Sequence, residues 1–592
     1  MGEKPTRLSR RQFLQGSAAV VSAAVLAACG AGNVPAVAPT APAAPAAATV
    51  DASAPSPAPA APTAAAAPAG AASTFASQID TAGIKKGGTI IEGSTLDVRI
   101  LNPILTSDTA SSRVINLIFD GLVNVDPDTL DPIPNLATKW EAAPDGKSYT
   151  FTLKQGVKWH DGQPFTADDV KLTYDLLMDA KSGTPRAGTL TKHIDSVEVK
   201  DPMTVVFKLK DVIASFMVND AGFGIVPKHI LGQVKPEDIP THEFSTAKPI
   251  GTGPFKFQEF LKGDHVTVTA NPDHHRGAPA IDSYIRKFVK DDTALYQQLK
   301  TGEVDYFENL PTDFYDDAKS QDSFSVSVFD GFNFQFFGYN LDPAKVLAPF
   351  KDVKVRQALF YAVDREGIVK TIRNGLSTIA QGTMPVLSWA YQPDKMTVRY
   401  EYDPDKAKQM LDEAGWKAGA DGVREKDGQK LAFTLNTFSG NKTIDGIVSV
   451  FQQNWKDIGV AMTPQSEEFS AFVTRLTKTF DFQTFLVGFF WGVDPDQQTM
   501  WDSKQHGPGF NLYDYSNPKV DELFEQALHT LDKEKRKDLY VQVQNLILAD
   551  APALIIDFPK NLSGVNKRVK NLIPNAVNVP VNSYQWYVTD GK

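Results

Sequence analysis

The sequence predicts an α/β protein with mixed sheets, on three observations. Short runs of alternating apolar and polar residues recur along most of the chain, stretches with helical apolar period lie between them, and no segment repeats. The length adds a second expectation. A single core stops growing near ~250–300 residues, so a chain of 592 residues is expected to divide into at least two lobes.

The elements follow in chain order. Gly87-Gly88-Thr89-Ile90-Ile91 opens a strand, and Val114 to Phe119, preceded by Ser111-Ser112, reads as a helix with its start. Tyr149-Thr150-Phe151-Thr152-Leu153, Thr204–Leu209 and His265-Val266-Thr267-Val268 alternate as half-buried strands. Ala167-Asp168-Asp169-Val170 leads into a helical period through Leu172, Leu176 and Leu177, and Pro404–Ala414 and Asn517–Ala527 also read as helices.

Composition excludes several classes. The formal net charge is −10 and the first 28 residues are basic, so the rest is more acidic still; nucleic acid, which needs a basic face, is not an expected partner. The chain has one cysteine, which rules out an intramolecular disulfide and any cysteine-built metal cluster. No His-Glu-x-x-His, Gly-x-Ser-x-Gly or phosphate-binding Gly-x-x-x-x-Gly-Lys-Ser/Thr string occurs. No cofactor, metal set or catalytic residue is therefore assigned. His274-His275 reads as a polar loop beside Pro272 and Gly277, because adjacent side chains seldom converge on one ion. Gly251-Thr252-Gly253-Pro254 reads as a tight turn, and His160-Asp161 as a structural turn rather than an acid–base pair.

The N-terminus reads as an address. Ser9-Arg10-Arg11-Gln12-Phe13-Leu14 precedes an apolar run ending in Leu26-Ala27-Ala28-Cys29. The paired arginines resemble a twin-arginine export signal, and Leu-Ala-Ala-Cys resembles the bacterial lipobox. That resemblance implies a leader over residues 1–28, lipidation of Cys29 and anchoring to the membrane from outside, at the periplasmic or outer cell surface. The Ala/Pro/Thr/Ser tract that follows lacks the bulky apolar surface to offset ordering, so residues 29–84 are expected to be a semi-stiff tether.

A family resemblance runs through the body. Its carriers include Leu101-Asn102-Pro103-Ile104, Leu117–Val123, Pro134–Glu141, Asp145–Phe151, Gly156–Gly162 and Pro164–Val170. It continues at Gly251–Phe255, Val355–Leu359, Tyr515–Pro518 and Asp521. These segments resemble, in order, the oligopeptide- and dipeptide-binding subunits of ATP-driven importers, solute-binding family 5. The resemblance implies a two-lobed periplasmic-binding-protein fold. Lobe I would comprise residues 85–335 and 556–592, with a subdomain inserted at about 123–248, and lobe II residues 336–555. Hinge crossings are expected near Phe332–Asn340 and Ala551–Pro559. It also implies a non-enzymatic, monomeric protein that closes on a peptide and delivers it to a membrane permease. An oligosaccharide or nickel complex is the alternative cargo, and an exported hydrolase the remote one.

Within that frame Val487–Asp496 is the foremost binding segment. The backbone of Gly488 and Phe490 would bond an extended peptide as an added strand. Trp491-Gly492-Val493-Asp494 matches the Trp-x-x-Asp string of peptide-binding relatives, so Asp494 would pair with the peptide ammonium. Asp494-Pro495-Asp496 also fits a second Asp-Pro element of those relatives, which would displace the ammonium partner. The bland alternative makes Asp494 and Asp496 caps. Ser94 and Thr95, with Leu96, would face the cleft from lobe I, and Trp389 would stack on a ligand side chain or simply pack. The phenylalanines Phe329, Phe332, Phe334, Phe336 and Phe337 are expected in the core.

Overall fold

The structure, a computed structural model, describes residues 74–577 and 580–590. The leader, Cys29 and most of the expected tether lie outside the described residues. Among the described residues no helix is long and apolar enough to cross a membrane.

Two large mixed sheets carry the molecule. The lobe I sheet runs, in spatial order, Phe324–Phe329, Asn561–Asn566, Tyr306–Phe307, Thr89–Ser94, Ser283–Phe288, His265–Ala270 and Phe255–Leu261. Thr89–Ser94 is parallel to both of its neighbours, whereas the remaining pairs are antiparallel. The lobe II sheet runs Ser377–Ile379, Ala553–Pro559, Asn333–Tyr339, Thr484–Phe490, Ala432–Phe438 and Ala461–Glu467. A separate antiparallel sheet of Ala137–Ala142, Ser148–Leu153, Thr204–Leu209 and Ile194–Asp201 belongs to the segment inserted after the first strand, with the helix Ala167–Met178 beside it.

Lobe II shows why these residues take these elements. Helix Lys442–Asp457 places Ile444, Ile447, Val448, Phe451 and Trp455 on one stripe, which covers one sheet face together with Phe337, Tyr339 and Leu435. The opposite face, with Phe334, Phe336, Phe485 and Ile555, is covered by Val520, Leu523 and Phe524 of Pro518–Leu528 and by Tyr540, Val543 and Ile547 of Lys533–Asp550. Burying each such side chain contributes about 1.5–3 kcal/mol. Of the phenylalanines near the crossing, Phe332, Phe334, Phe336 and Phe337 are buried, whereas Phe329, at the end of its strand, is only half-buried.

Caps decide the helix boundaries. Asp403 and Asn517 cap Pro404–Glu413 and Pro518–Leu528, each with proline in the first turn, where its missing N–H costs nothing. Asp169 Oδ2 accepts the Thr166 N–H at 2.8 Å to close the start of Ala167–Met178. The first helix begins earlier than the serines suggest, at Thr109. Asp108 is its cap and accepts the Ser111 N–H at 2.8 Å, so Ser111 and Ser112 lie inside the helix.

The turn at Gly251–Pro254 is tight for a packing reason. A Cβ on Gly251 would sit 1.8 Å from the Ile118 carbonyl oxygen, and one on Gly253 would meet the same backbone at 2.6 Å. His160 braces it, accepting the Gly251 N–H through Nδ1 at 3.2 Å and donating from Nε2 to the Gly253 carbonyl at 3.0 Å. Burial, offset only in part by the Gly253 hydrogen bond, lowers His160 to about 4, so it is a neutral structural residue.

Candidate functional site between the lobes

The chain passes between the two large sheets twice. Residues 330–332 join Phe324–Phe329 to Asn333–Tyr339, and Lys560 alone joins Ala553–Pro559 to Asn561–Asn566. The two crossings are tied to each other, with Lys560 Nζ 2.8 Å from Asp330 Oδ1 and the Asn333 amide donating to Asn561 Oδ1. Trp491 is fastened to the same place, its N–H donating to the Phe332 carbonyl at 3.0 Å.

The strand Thr484–Phe490 runs up to this junction. Its first four residues are buried, whereas Gly488 is exposed and Phe490 is 62% exposed. On one side it pairs along its whole length with Asn333–Tyr339. On the other, Ala432–Phe438 pairs only with Thr484 and Phe485. Among the described residues no strand pairs with that edge beyond Phe485. The phase of the ladder is set at its two ends, where Trp491 N–H donates to Phe332 and Asn340 N–H donates to the Gln483 carbonyl. Hydrogen-bonded positions alternate in an antiparallel pair, so odd-numbered residues from 483 to 491 face Asn333–Tyr339. The backbone N–H and C=O groups of Gly488 and Phe490 therefore face the free edge, whereas the Leu486 carbonyl already accepts the Thr437 hydroxyl at 3.4 Å. Phe510, 49% exposed, packs against Phe489 (ring centroids 5.5 Å apart) and extends the apolar wall.

Beyond the strand the chain turns into a buried ionic cluster, and here the geometry changes the expectation for Asp494. Asp494 is 5% exposed and both of its oxygens are taken by Arg536, at 2.8 and 3.0 Å. Arg536 also donates to the Tyr540 hydroxyl at 2.9 Å. A carboxylate neutralised by a bidentate guanidinium has no charge left to hold a ligand ammonium, and removing either partner would strand the other in the core. The same side chain caps the next turn by accepting the Asp496 N–H at 3.0 Å, as the bland alternative had it. Trp389 belongs to this cluster as well. Its ring lies 5.2 Å from the Arg536 guanidinium and 5.5 Å from Lys533 Nζ, so its face is already occupied by cations. The Trp491 indole N–H donates to the Asp496 carbonyl at 3.1 Å and holds the turn.

Asp496 forms no direct ion pair among the described residues, although the Arg536 charge acts on it from beside Asp494. Burial and the neighbouring Asp494 charge push it up to about 6, and the nearby lobe I residue His193 acts in the opposite direction. One oxygen caps the Gln498 N–H at 2.9 Å.

Lobe I presents a different wall. Ser94 is 9% exposed, and its Oγ accepts from Arg286 Nη2 at 2.8 Å and from the Leu96 N–H at 3.0 Å. Arg286 in turn pairs with fully buried Glu92, which also accepts the Tyr284 hydroxyl at 2.6 Å and has Arg113 Nε at 3.5 Å. Burial opposes the charge on Glu92, yet the two arginines hold it below the usual carboxylate value. Ser94 is thus consumed by the core of lobe I, Thr95 is half-buried beside it, and Leu96 is the residue exposed at 54%. The lobes also touch through other contacts. Lys533 Nζ lies 2.8 Å from Asp131 Oδ1, the Ala214 N–H donates to the Leu528 carbonyl at 2.8 Å, and His529 Nδ1 donates to the Val212 carbonyl at 2.5 Å.

The structure therefore brings Gly488, Phe490 and Trp491 to the junction, places Asp494 and Trp389 together in an ion cluster, and ties Ser94 into a separate network. The sequence reading overlooked Arg536, Lys533 and Arg286. The one local signal was Arg536 and Tyr540 four apart on a helix, which puts them on one face without saying what they meet.

Comparison with known proteins agrees with this architecture. The oligopeptide-binding protein AppA of Bacillus subtilis (strain 168) is 34% identical over 496 residues, covering 83% of this chain and 90% of AppA. The structure of Bacillus subtilis AppA in complex with a nonapeptide matches with a TM-score of 0.71 at 33% identity, covering 85% of this chain and 99% of that one. That of NikZ from Campylobacter jejuni in complex with Ni(L-His) matches with a TM-score of 0.70 at 29% identity, covering 84% and 99%. Residues 131–511 match the profile described as bacterial extracellular solute-binding proteins, family 5 middle. Two mixed sheets joined by two short crossings, with an open strand edge at the junction, are thus the setting of a chain that belongs to family 5 of the bacterial extracellular solute-binding proteins.

Proposed function

We propose that this chain is the binding subunit of an ATP-driven importer, and that its cargo is a peptide bound in extended form between the lobes. The observation that carries this reading is the free edge of Thr484–Phe490. Gly488 and Phe490 offer backbone donors and acceptors there, next to the crossings, and a main chain can add to such an edge whatever its side chains are. The kinship with AppA, described with a nonapeptide, supports the same cargo.

The partner for the peptide ammonium in this reading is Asp496, not Asp494. Asp494 is spent on Arg536, whereas Asp496 is a half-buried carboxylate that burial and Asp494 push upward and that Arg536 offsets only in part. An incoming ammonium would relieve that deficit. Because the peptide touches both walls, it binds the closed arrangement more tightly and shifts the population toward it; the permease would recognise that closed shape. No bond is made or broken, and hydrolysis of ATP belongs to another subunit.

In the same proposal the chain acts as a monomer, tethered outside the membrane through a lipid on Cys29. Replacing Cys29 by Ser is expected to move the protein from the membrane to the soluble fraction.

Calorimetry with a mixed pool of short peptides, beside the same pool N-acetylated, tests the cargo. Binding is expected for free amines and is expected to weaken more than tenfold on acetylation or in Asp496→Asn. Tight binding of an oligosaccharide or a nickel–histidine complex with no peptide binding would replace the peptide reading. Loss of affinity in Asp496→Asn that is equal for free and acetylated peptides would remove Asp496 as the ammonium partner.

A further inference from the structure

His274 and His275, expected in a polar loop, are instead drawn into lobe I against Asp120. Their side chains are 0% and 4% exposed, and that of Asp120 is 4% exposed. Asp120 follows the helix Thr109–Ile118, and the histidines lie in the turn between the strands His265–Ala270 and Ser283–Phe288. The turn is pinned beneath Gly251–Pro254, with the Asn271 side chain donating to the Gly253 carbonyl at 3.0 Å and the Asn271 N–H to the Pro254 carbonyl at 2.9 Å. This is what points two adjacent side chains the same way.

The resulting geometry is that of a metal-ligand set. His275 Nε2 lies 3.1 Å and His274 Nε2 3.7 Å from Asp120 Oδ2. One ligand atom from each of the three residues falls within 4.8 Å of the others. Ligands about 2.0–2.2 Å from a tetrahedral ion are separated by roughly 3.3 Å, so the three need little movement to converge.

The chemistry of His274 is independent support. Its Nδ1 is 3.2 Å from the Gly277 carbonyl, an acceptor only, so in the neutral ring Nδ1 carries the proton and Nε2 the lone pair. That Nε2 is buried and has no hydrogen-bond partner. A buried lone pair aimed at a carboxylate is unfavourable without a donor or a cation between them. The Nδ1–carbonyl bond is also the orienting contact that metal-bound imidazoles commonly make. The carboxylate's other contacts leave room for this. Thr252 donates to Oδ2 at 3.2 Å, Asn135 donates to Oδ1 at 3.1 Å, and Arg276 Nη2 stands 3.7 Å from Oδ1, on the oxygen away from the histidines.

We propose that Asp120, His274 and His275 bind one divalent cation of the zinc class inside lobe I, apart from the cleft between the lobes. Two imidazoles and one carboxylate suit Zn(II), and the related cations Co(II) and Ni(II), better than Ca(II) or Mg(II), which take oxygen ligands. The ion would staple the end of the first helix to the 271–277 turn.

The test uses the full chain carrying Cys29→Ser, which removes the only thiol. After equilibrium dialysis against Zn(II), elemental analysis is expected to find one zinc per chain, with and without a saturating peptide. The double variant His274→Gln/His275→Gln is expected to retain none and to lose the rise in unfolding temperature that Zn(II) gives the parent. Absence of retained zinc in the parent, or equal retention in the double variant, overturns the proposal. Should the double variant fold poorly, the Co(II) complex of the parent decides. An intense four-coordinate visible spectrum is expected, and a spectrum like that of aqueous cobalt overturns it.

Discussion

The two strands that approach the junction, Thr89–Ser94 in lobe I and Thr484–Phe490 in lobe II, are built in opposite ways. Thr89–Ser94 pairs with Ser283–Phe288 through its last residue, has Tyr306–Phe307 on its other side, and turns Glu92 and Ser94 into a buried network with Arg286 and Arg113. Thr484–Phe490 is paired on both sides only as far as Phe485, and then runs on with one edge open and Phe490 in solvent. The first strand spends its polar groups on the fold, and the second keeps main-chain groups in reserve. Changes on the lobe I strand should therefore alter stability, and changes on the lobe II strand should alter binding.

The largest expected effect breaks the lobe I network. Arg286→Met leaves Glu92 buried with only Arg113 near it, and is expected to cost about 3 kcal/mol of stability in denaturant unfolding, while affinity of the folded fraction stays as it was. A large loss of affinity with unchanged stability would erase the contrast between the strands. Next comes Gly488→Pro, which removes the N–H facing the open edge and leaves the ladder to Asn333–Tyr339 intact, since that ladder uses the odd-numbered residues. Peptide affinity by calorimetry is expected to fall at least tenfold, about 1.4 kcal/mol, with little change in unfolding midpoint.

A third measurement sharpens the lobe II side through pH. Asp496 has a folded value of about 6 against 3.8 for the free group, raised by burial and then by Asp494. A carboxyl raised in the folded state stabilises it fully below pH ~4, where both states are protonated, and loses that contribution as pH climbs through 6. Asp496→Asn is therefore expected to be more stable than the parent at pH 8 and to lose that advantage at pH 4, in paired thermal melts. The smallest effect is that of Ser94→Ala. It removes one acceptor for Arg286 and is expected to cost about 1 kcal/mol of stability, with peptide affinity within twofold.

The same contrast explains which parts of the molecule could be read from residues alone. The strands Thr204–Leu209 and Ser148–Leu153, the helix after Thr166 and the helices after Asp403 and Asn517 rest on alternation, helical period and caps, all of which act within a few residues. The first helix was misplaced at its start because Asp108, not the serines, wins the capping contest. The run Val487–Phe490 marked the binding segment, but that its edge is open at Gly488 and Phe490 was decided by where Ala432–Phe438 stops pairing.

By itself the sequence determined local structure, the acidic charge of the body and, through motifs in order, the family. Only the tertiary structure decided which charges meet. Asp494 finds Arg536 across 42 residues, Ser94 finds Arg286 across 192, and Asp120 finds His275 across 155. A carboxylate on a strand end looks the same in sequence whether its partner is an arginine of the fold, a ligand ammonium or a metal ion. Its role is set by what packing brings within about 3 Å, and by whether water is left there to compete.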